Sequence, residues 1–162
     1  MNVEQIKGRI VDRGLARKNR FQVSIPAIGD SNFYAKTATT ADITIGTSPY
    51  RYTAPTSQHP NDLIHGDLQI SFYVDKEYNV RKVFQRWIDE MVDLQAGNWG
   101  YRDDYARDII VEALDVDGSV KMTTTYVSCF PKTIQAIEHS FDSSDEIQTL
   151  DTTFVYQYYT IS

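Results

Sequence analysis

The stretch Glu146-Ile147-Gln148-Thr149-Leu150-Asp151-Thr152-Thr153-Phe154-Val155-Tyr156-Gln157-Tyr158-Tyr159 runs for fourteen residues without a glycine or a proline. As one strand, at about 3.3 Å per residue, it would span on the order of 45 Å, well beyond the usual strand length. Its faces differ. Leu150, Phe154, Tyr156 and Tyr158 fall on one side with Gln148 and Thr152, while Thr149, Asp151, Thr153 and Gln157 fall on the other with Ile147 and Val155. One face packs and the other is wetted. Such a strand needs hydrogen-bonding neighbours along its whole length, because an open edge invites aggregation unless it is blocked or closed into a barrel. The stretch therefore reads as part of an assembling β-protein, and closure across subunits would satisfy its edges.

Outward from it, the chain is mainly β. Eleven Tyr, seven Phe and two Trp, with β-branched residues throughout, favour strands over a helical bundle. Phe21, Val23 and Ile25 alternate with polar residues and stop at Pro26, and residues 33 to 45 are Thr-rich and apolar by turns. Residues 46 to 67 hold three of the five prolines, which are excluded from central ladder positions, so this stretch reads as an extended hairpin arm or a long loop. Leu68, Ile70, Phe72 and Val74 alternate cleanly. Asp108 to Asp115, the turn Val116-Asp117-Gly118 and Ser119 to Val127 form a hairpin. A further strand, Lys132 to Ser140, follows the break at Pro131, and residues 141 to 145 form a polar turn.

One helix is expected over about 78–94. Val80, Val83, Phe84, Trp87, Ile88 and Met91 make an apolar stripe, opposite Lys82, Gln85, Arg86, Asp89, Glu90 and Asp93. Asp75 could cap it or place negative charge by its first turn. A single amphipathic helix makes no core alone, so the stripe is the helix–sheet core of the fold. Residues 2 to 15 could form a second, short helix ending near Gly14.

The 162 residues suit one domain, 21–162, preceded by a basic arm, 1–20. Hydrophobic residues make up 41% and charged residues 23%, the balance of a chain that folds. The lone Cys129 permits no internal disulfide and suits a reducing compartment. No apolar run approaches the roughly 20 residues that cross a bilayer, so a soluble chain without a membrane anchor is expected. The net charge of −6 is uneven. Residues 1–20 hold six Lys or Arg against two acids, and the remainder holds ten bases against twenty acids. Either the arm is a solvated tail, or it docks on the acidic body of a neighbouring copy.

Catalytic and cofactor signals are weak. His59, His65 and His139 have no metal-ligand spacing, and the eight glycines form neither a dinucleotide nor a P-loop motif. Cys129, beside Phe130 and Pro131, reads as a small buried hydrophobe. Asp115-Val116-Asp117-Gly118 is a turn whose glycine comes too early for a calcium loop. The acidic body disfavours tight nucleic-acid binding. No enzyme, metal or cofactor is expected.

Three groups of residues carry a resemblance. Cys129-Phe130-Pro131-Lys132-Thr133-Ile134 is followed by Phe141-Asp142-Ser143-Ser144-Asp145-Glu146-Ile147-Gln148-Thr149 and then Phe154-Val155-Tyr156-Gln157-Tyr158. Ser71-Phe72-Tyr73-Val74-Asp75 leads into Arg81-Lys82-Val83-Phe84-Gln85-Arg86-Trp87, and Ala16-Arg17-Lys18-Asn19-Arg20-Phe21-Gln22-Val23 stands near the start. Together these resemble the tail tube proteins of contractile-tailed bacteriophages. The region Gln58 to Asp67 departs from the family's Gly-Asp-Arg-Thr turn, and Tyr158-Tyr159 is followed by Thr160-Ile161-Ser162.

The resemblance implies an antiparallel β-sandwich or half-barrel with one flanking helix and an extended hairpin arm, completing an intersubunit β-barrel. It further implies hexameric rings stacked into a hollow virion tube, assembled in the host cytoplasm with sheath, tape-measure, baseplate and tail-terminator proteins. DNA would pass without specific binding. Gln69, Ser71, Thr149, Asp151, Thr153 and Gln157 would then face the lumen. Contacts between copies would use Arg9, Arg13, Arg17, Lys18 and Arg20 of the basic arm, Tyr50, Arg51 and Tyr52 of the Pro-rich stretch, and Asp142, Asp145 and Glu146 of the polar turn. The competing readings are a baseplate or tube-terminating paralogue, the tube of a phage-derived injection or secretion device, and a monomeric β-sandwich binding module.

Overall fold

The computed structural model describes residues 16–26, 35–50, 56–137, 139 and 147–162. In chain order these form β1 (Phe21–Ser24), β2 (Ala35–Thr39), β3 (Ile43–Tyr50), β4 (Ser57–His65), β5 (Leu68–Tyr73), α1 (Asn79–Met91), α2 (Arg102–Tyr105), β6 (Arg107–Leu114), β7 (Val120–Ile134), β8 (Thr149–Val155) and β9 (Tyr158–Ile161). The fold is mainly β and antiparallel throughout. A seven-stranded sheet runs β1-β6-β7-β8-β5-β2, with β9 on β7, and β3 and β4 form a separate pair.

β7 organises the sheet. Its first half pairs with β6 and β9, and its second half, from Phe130, pairs with β8. Between the halves Ser128 takes φ 58°, a left-handed kink that redirects the strand. The sheet thus bends about β7 into a half-barrel, and its ends, β1 and β2, approach each other.

That kink corrects two readings of the sequence. Glu146 to Tyr159 is not one continuous strand: β8 and β9 are separated at Tyr156-Gln157, because the chain follows a partner that changes direction at Ser128. The parity of the faces changes there, so Tyr159 packs against the core while Tyr158 is 52% exposed. Pro131 is also no break. It lies inside β7 opposite Phe154, beside a register shift. The β6 pairing ends at Cys129, so beyond it β7 keeps β8 as a partner and a residue without an N–H is accommodated. The strand expected over Lys132 to Ser140 accordingly ends at Ile134 as the tail of β7, and the turn at 141–145 lies outside the described residues.

The helix α1 lays Val80, Phe84, Trp87 and Met91 into the core, with Val83 and Ile88 half-buried on its flanks. Phe84 meets Phe72 at 5.3 Å and Phe154 at 5.7 Å between ring centroids, and Trp87 meets Phe154 at 5.9 Å. Trp87 also donates its indole N–H to the Tyr105 carbonyl at 2.7 Å, which ties α1 to the short α2 that sequence periodicity missed. The N-cap of α1 is Tyr78, which makes no side-chain cap hydrogen bond, and Asp75, three residues before it, instead accepts the N–H of the first helical residue, Asn79, at 2.8 Å. The possible helix over residues 2 to 15 lies outside the described residues.

Candidate assembly interface

Three surfaces stand out among the described residues. The first is the β3–β4 hairpin. Its eight-residue and nine-residue strands pair from Ile43↔His65 to Tyr50↔Ser57, so the stretch is a hairpin arm rather than a loop, and it begins three residues earlier than the prolines suggest. Pro49 and Pro60 fit because each strand of a two-stranded sheet has a free edge for a residue without an N–H. All of β4 is exposed, and so is β3 apart from the half-buried Gly46. Pairing Ile43↔His65 and Ile45↔Leu63 places Ile43, Ile45, Leu63 and His65 on one face, with Ile45 58% and Leu63 63% exposed.

The arm's root is fixed. His65 stacks on Tyr156 at 4.7 Å, Gly66 N–H donates to the Asp42 carbonyl at 3.0 Å, and Lys132 pairs with Asp67 at 2.7 Å. A Cβ at Gly66 would meet the Asp42 carboxylate, which would have to turn aside, so the close approach of the two is easiest with glycine there. Tyr50, near the tip, is 49% exposed and sets its ring edge-on to His59. Arg51 and Tyr52 lie outside the described residues.

The second surface is the outer face of β2, β5, β8 and the end of β7. Gln69↔Thr153 and Ser71↔Asp151 pair across β5 and β8, with Thr39 opposite Gln69, Thr37 opposite Ser71, and Thr133 opposite Thr153. The Ser71 hydroxyl donates to the Asp151 carboxylate. Thr149 and Tyr73 extend the same face. The inner face of these strands holds Leu68, Ile70, Phe72, Leu150, Thr152 and Phe154, all buried. The alternation thus brings Gln69, Ser71, Thr149, Asp151 and Thr153 together as one surface rich in hydroxyls, with a single amide and a single carboxylate among them. Gln157 does not join them: it sits at the bend before β9 and donates its N–H to the Val127 carbonyl. The added members Thr37, Thr39 and Thr133 come from strands whose register the sequence does not carry.

The third surface is the sheet's open boundary. Among the described residues, β1, β2 and β9 each pair on one side. Arg17, Lys18 and Arg20 precede β1, and the Arg20 carbonyl accepts the Leu114 N–H. Arg9, Arg13, Asp142, Asp145 and Glu146 lie outside the described residues.

The buried Cys129 thiol donates to the Tyr126 carbonyl at 3.2 Å, and burial pushes its pKa up to about 12. It is therefore a protonated packing element and not a nucleophile at neutral pH. Among the described residues no group of His, Cys, Asp and Glu is placed to hold a metal, and no helix is long and apolar enough to cross a membrane.

The profile of the family described as phage tail tube protein matches residues 16–162. Solved structures with a similar fold come from contractile injection systems. The sheath/tube terminator of the extracellular contractile injection system PVC in its extended state superposes with a TM-score of 0.70 at 17% identity, over 91% of this chain and 96% of its own. The tube-terminating cap of the anti-feeding prophage gives 0.70 at 20% identity over 91% of each chain. A chain of the PVC sheath–tube complex gives 0.66 at 18% identity, over 100% of this chain and 98% of its own. Among curated proteins none matches.

Proposed function

The chain belongs to the phage tail tube protein family, and from that premise we propose that it closes with copies of itself into hexameric rings that stack as the hollow inner tube of a contractile tail. The observation that carries this reading is the β3–β4 hairpin. A two-stranded hairpin is at best marginally stable alone, and this one presents Ile43, Ile45 and Leu63 on one face, each at least half exposed. A contiguous apolar surface of that kind is covered in use, and a neighbouring copy would cover it.

The polar outer face of β5 and β8 would line the lumen through Gln69, Ser71, Thr149, Asp151 and Thr153. Hydroxyls around the Gln69 amide and the Asp151 carboxylate offer a phosphate backbone little to bind, and Lys36, which lies over the Tyr73 ring at the border of this face, is offset by Asp151, so DNA would slide through the tube without sticking. Around the ring, the one-sided strands β1, β2 and β9 would find their second partners in adjacent copies and close the barrel. Basic residues before β1, the tip around Tyr50 to Tyr52, and Asp142, Asp145 and Glu146 would add contacts between copies. Outside the tube, a sheath protein would surround it, and tape-measure, baseplate and terminator proteins would meet its contents and ends. The role is structural rather than enzymatic, exercised in the virion after assembly in the host cytoplasm.

Electron microscopy of the purified full chain at rising concentration, with and without an initiating complex, tests the proposal. Uniform hollow rods or sixfold rings are expected. Monomers at every concentration would overturn it, and sixfold rings that never stack would mark a tube-terminating member instead.

A further inference from the structure

The loop that follows α1 presents large apolar side chains to solvent from a fixed backbone. Leu94 is 70% exposed, Trp99 73% and Tyr101 84%. Yet the loop is tied down: Val92 bridges Trp99, Asp93 N–H donates to the Asn98 carbonyl at 2.9 Å, and Gly100 N–H donates to the Met91 carbonyl at 2.9 Å. Asp93 further accepts the N–H groups of Gln95 and Ala96, and Gly97 takes φ +69° to complete the turn. Two exposed aromatics held on such a frame are pre-ordered for a partner, which removes much of the ordering cost of binding.

The surroundings state the partner's charge. Residues 89–108 hold six acids against two arginines, a net −4. Both arginines are engaged internally: Arg107 pairs with Glu90 and lies over Trp87, and Arg102 binds the hydroxyl and carbonyl of Ser128. Asp103 and Asp104 enter no ion pair among the described residues. The last turn of α1 also ends here without a basic residue, which adds the negative end of its dipole. Residues 1–20 carry a net +4 with four arginines, and guanidinium groups suit both carboxylates and the faces of Trp and Tyr. Arg17 and Lys18 are exposed, and they too enter no ion pair among the described residues.

Arg17 to Arg20 and the aromatic loop lie at opposite ends of β6. Arg20 binds Leu114 at the strand's far end, whereas Tyr101 to Ala106 lead into Arg107 at its start. Eight residues of strand separate them by roughly 25 Å. Complementary patches at opposite ends of one subunit make a head-to-tail contact, which closes into a ring or repeats along an axis according to the rotation it imposes. β6 belongs to the sheet that bends into the half-barrel, and a barrel strand tilted by about 35–45° carries most of its length along the barrel axis, so in a ring closed as proposed above its two ends would be offset toward opposite rims.

Resting on the tube reading above, we propose that the basic segment 1–20 of each copy docks onto the Leu94–Trp99–Tyr101 surface of a copy in the adjacent ring, making stacking polar and electrostatically keyed.

Two full-length variants test this. One reverses the acceptor (Asp89→Lys, Asp103→Lys, Asp104→Lys), and the other reverses the arm (Arg9→Glu, Arg13→Glu, Arg17→Glu, Lys18→Glu). All the substituted residues described by the structure are exposed. Each variant alone should form rings, seen by light scattering, but should need at least about tenfold higher concentration than the native chain to form rods at 0.1 M salt scale, since like charges are then opposed. An equimolar mixture should form rods again, because each arm meets a complementary acceptor on the other variant. Rods from either variant at the native concentration, or a mixture that fails to recover them, would overturn the inference while leaving the tube reading intact. The latter result, with recovery when both reversals share one chain, would place the arm on its own subunit. Loss of rings would place the contact within the ring and overturn it equally. Failure of the native chain to form rings or rods would remove the tube reading itself, and this inference with it.

Discussion

At the scale of single residues, the aromatic cluster beneath the hairpin arm sets a pH limit. Tyr156 is 3% exposed, stacked on His65 and edge-on to Tyr126, with its hydroxyl unpartnered among the described residues. Burial pushes its pKa from 10.0 to about 12, and burial likewise pushes Cys129 from 9.0 to about 12. Both groups are neutral when protonated, so their folded-state values are raised because the fold excludes the charged form. The unfolded chain releases these protons first as pH rises from about 9. Their contribution to stability is therefore complete below that pH and is lost progressively toward pH 12. Urea midpoints measured at pH 8 and pH 10.5 should fall at the higher pH, and Tyr156→Phe combined with Cys129→Ala should flatten the difference. Equal slopes in the two proteins would assign alkaline loss to other groups. The burial of Cys129 was legible from its apolar neighbours, and so was that of Phe84 and Trp87 from helical spacing. The partners of Tyr156 were not, since His65 and Tyr126 reach it only through the fold.

At the scale of elements, the hairpin arm and α1 illustrate opposite limits of pattern reading. The stripe on α1 identified the buried residues because a helix has one face against one sheet. In the arm, Ile43 and Ile45 alternate with polar residues just as a half-buried strand does, yet the strand is exposed. Alternation reports that one face prefers to be covered, without saying by which molecule. This gives a direct experiment. Ile45→Asp with Leu63→Asp should leave the monomer's melting temperature within about 3 °C, because exposed substitutions change stability little. The same pair should prevent rings or rods from forming at concentrations that suffice for the native chain. A large fall in melting temperature would mean that the arm belongs to the monomer's own stability. Prolines signalled an arm or loop, and the tertiary pairing of β3 with β4 chose the arm.

At the scale of the molecule, the bent sheet separates a dry interior from a polar outer face, and the proposed lumen tests that division. Asp151 accepts a hydrogen bond from Ser71 at the middle of this face. Asp151→Lys should preserve folding and tube assembly while slowing DNA passage through the assembled particle, measured as the rate of ejection, because one cation per copy repeats around every ring. Normal folding with loss of ring closure would instead place Asp151 between subunits. The residues of this face that lie on β5 and β8 were legible as the wet side of two alternating strands. Their additions from β2 and β7 were not, and Gln157 left the row at a bend the linear pattern concealed. By itself the sequence determined the strand-rich character of the chain, the single amphipathic helix, the hairpin at Val116-Asp117-Gly118 and the charge asymmetry, because periodicity, turn chemistry and net charge are local properties. Only the tertiary structure decided that β7 runs through Pro131, that its kink at Ser128 divides Glu146 to Tyr159 into two strands, and that the aromatic loop and the residues Arg17 to Arg20 stand at opposite ends of β6. Those features depend on which strands become neighbours, and residues far apart in the chain settle that through packing.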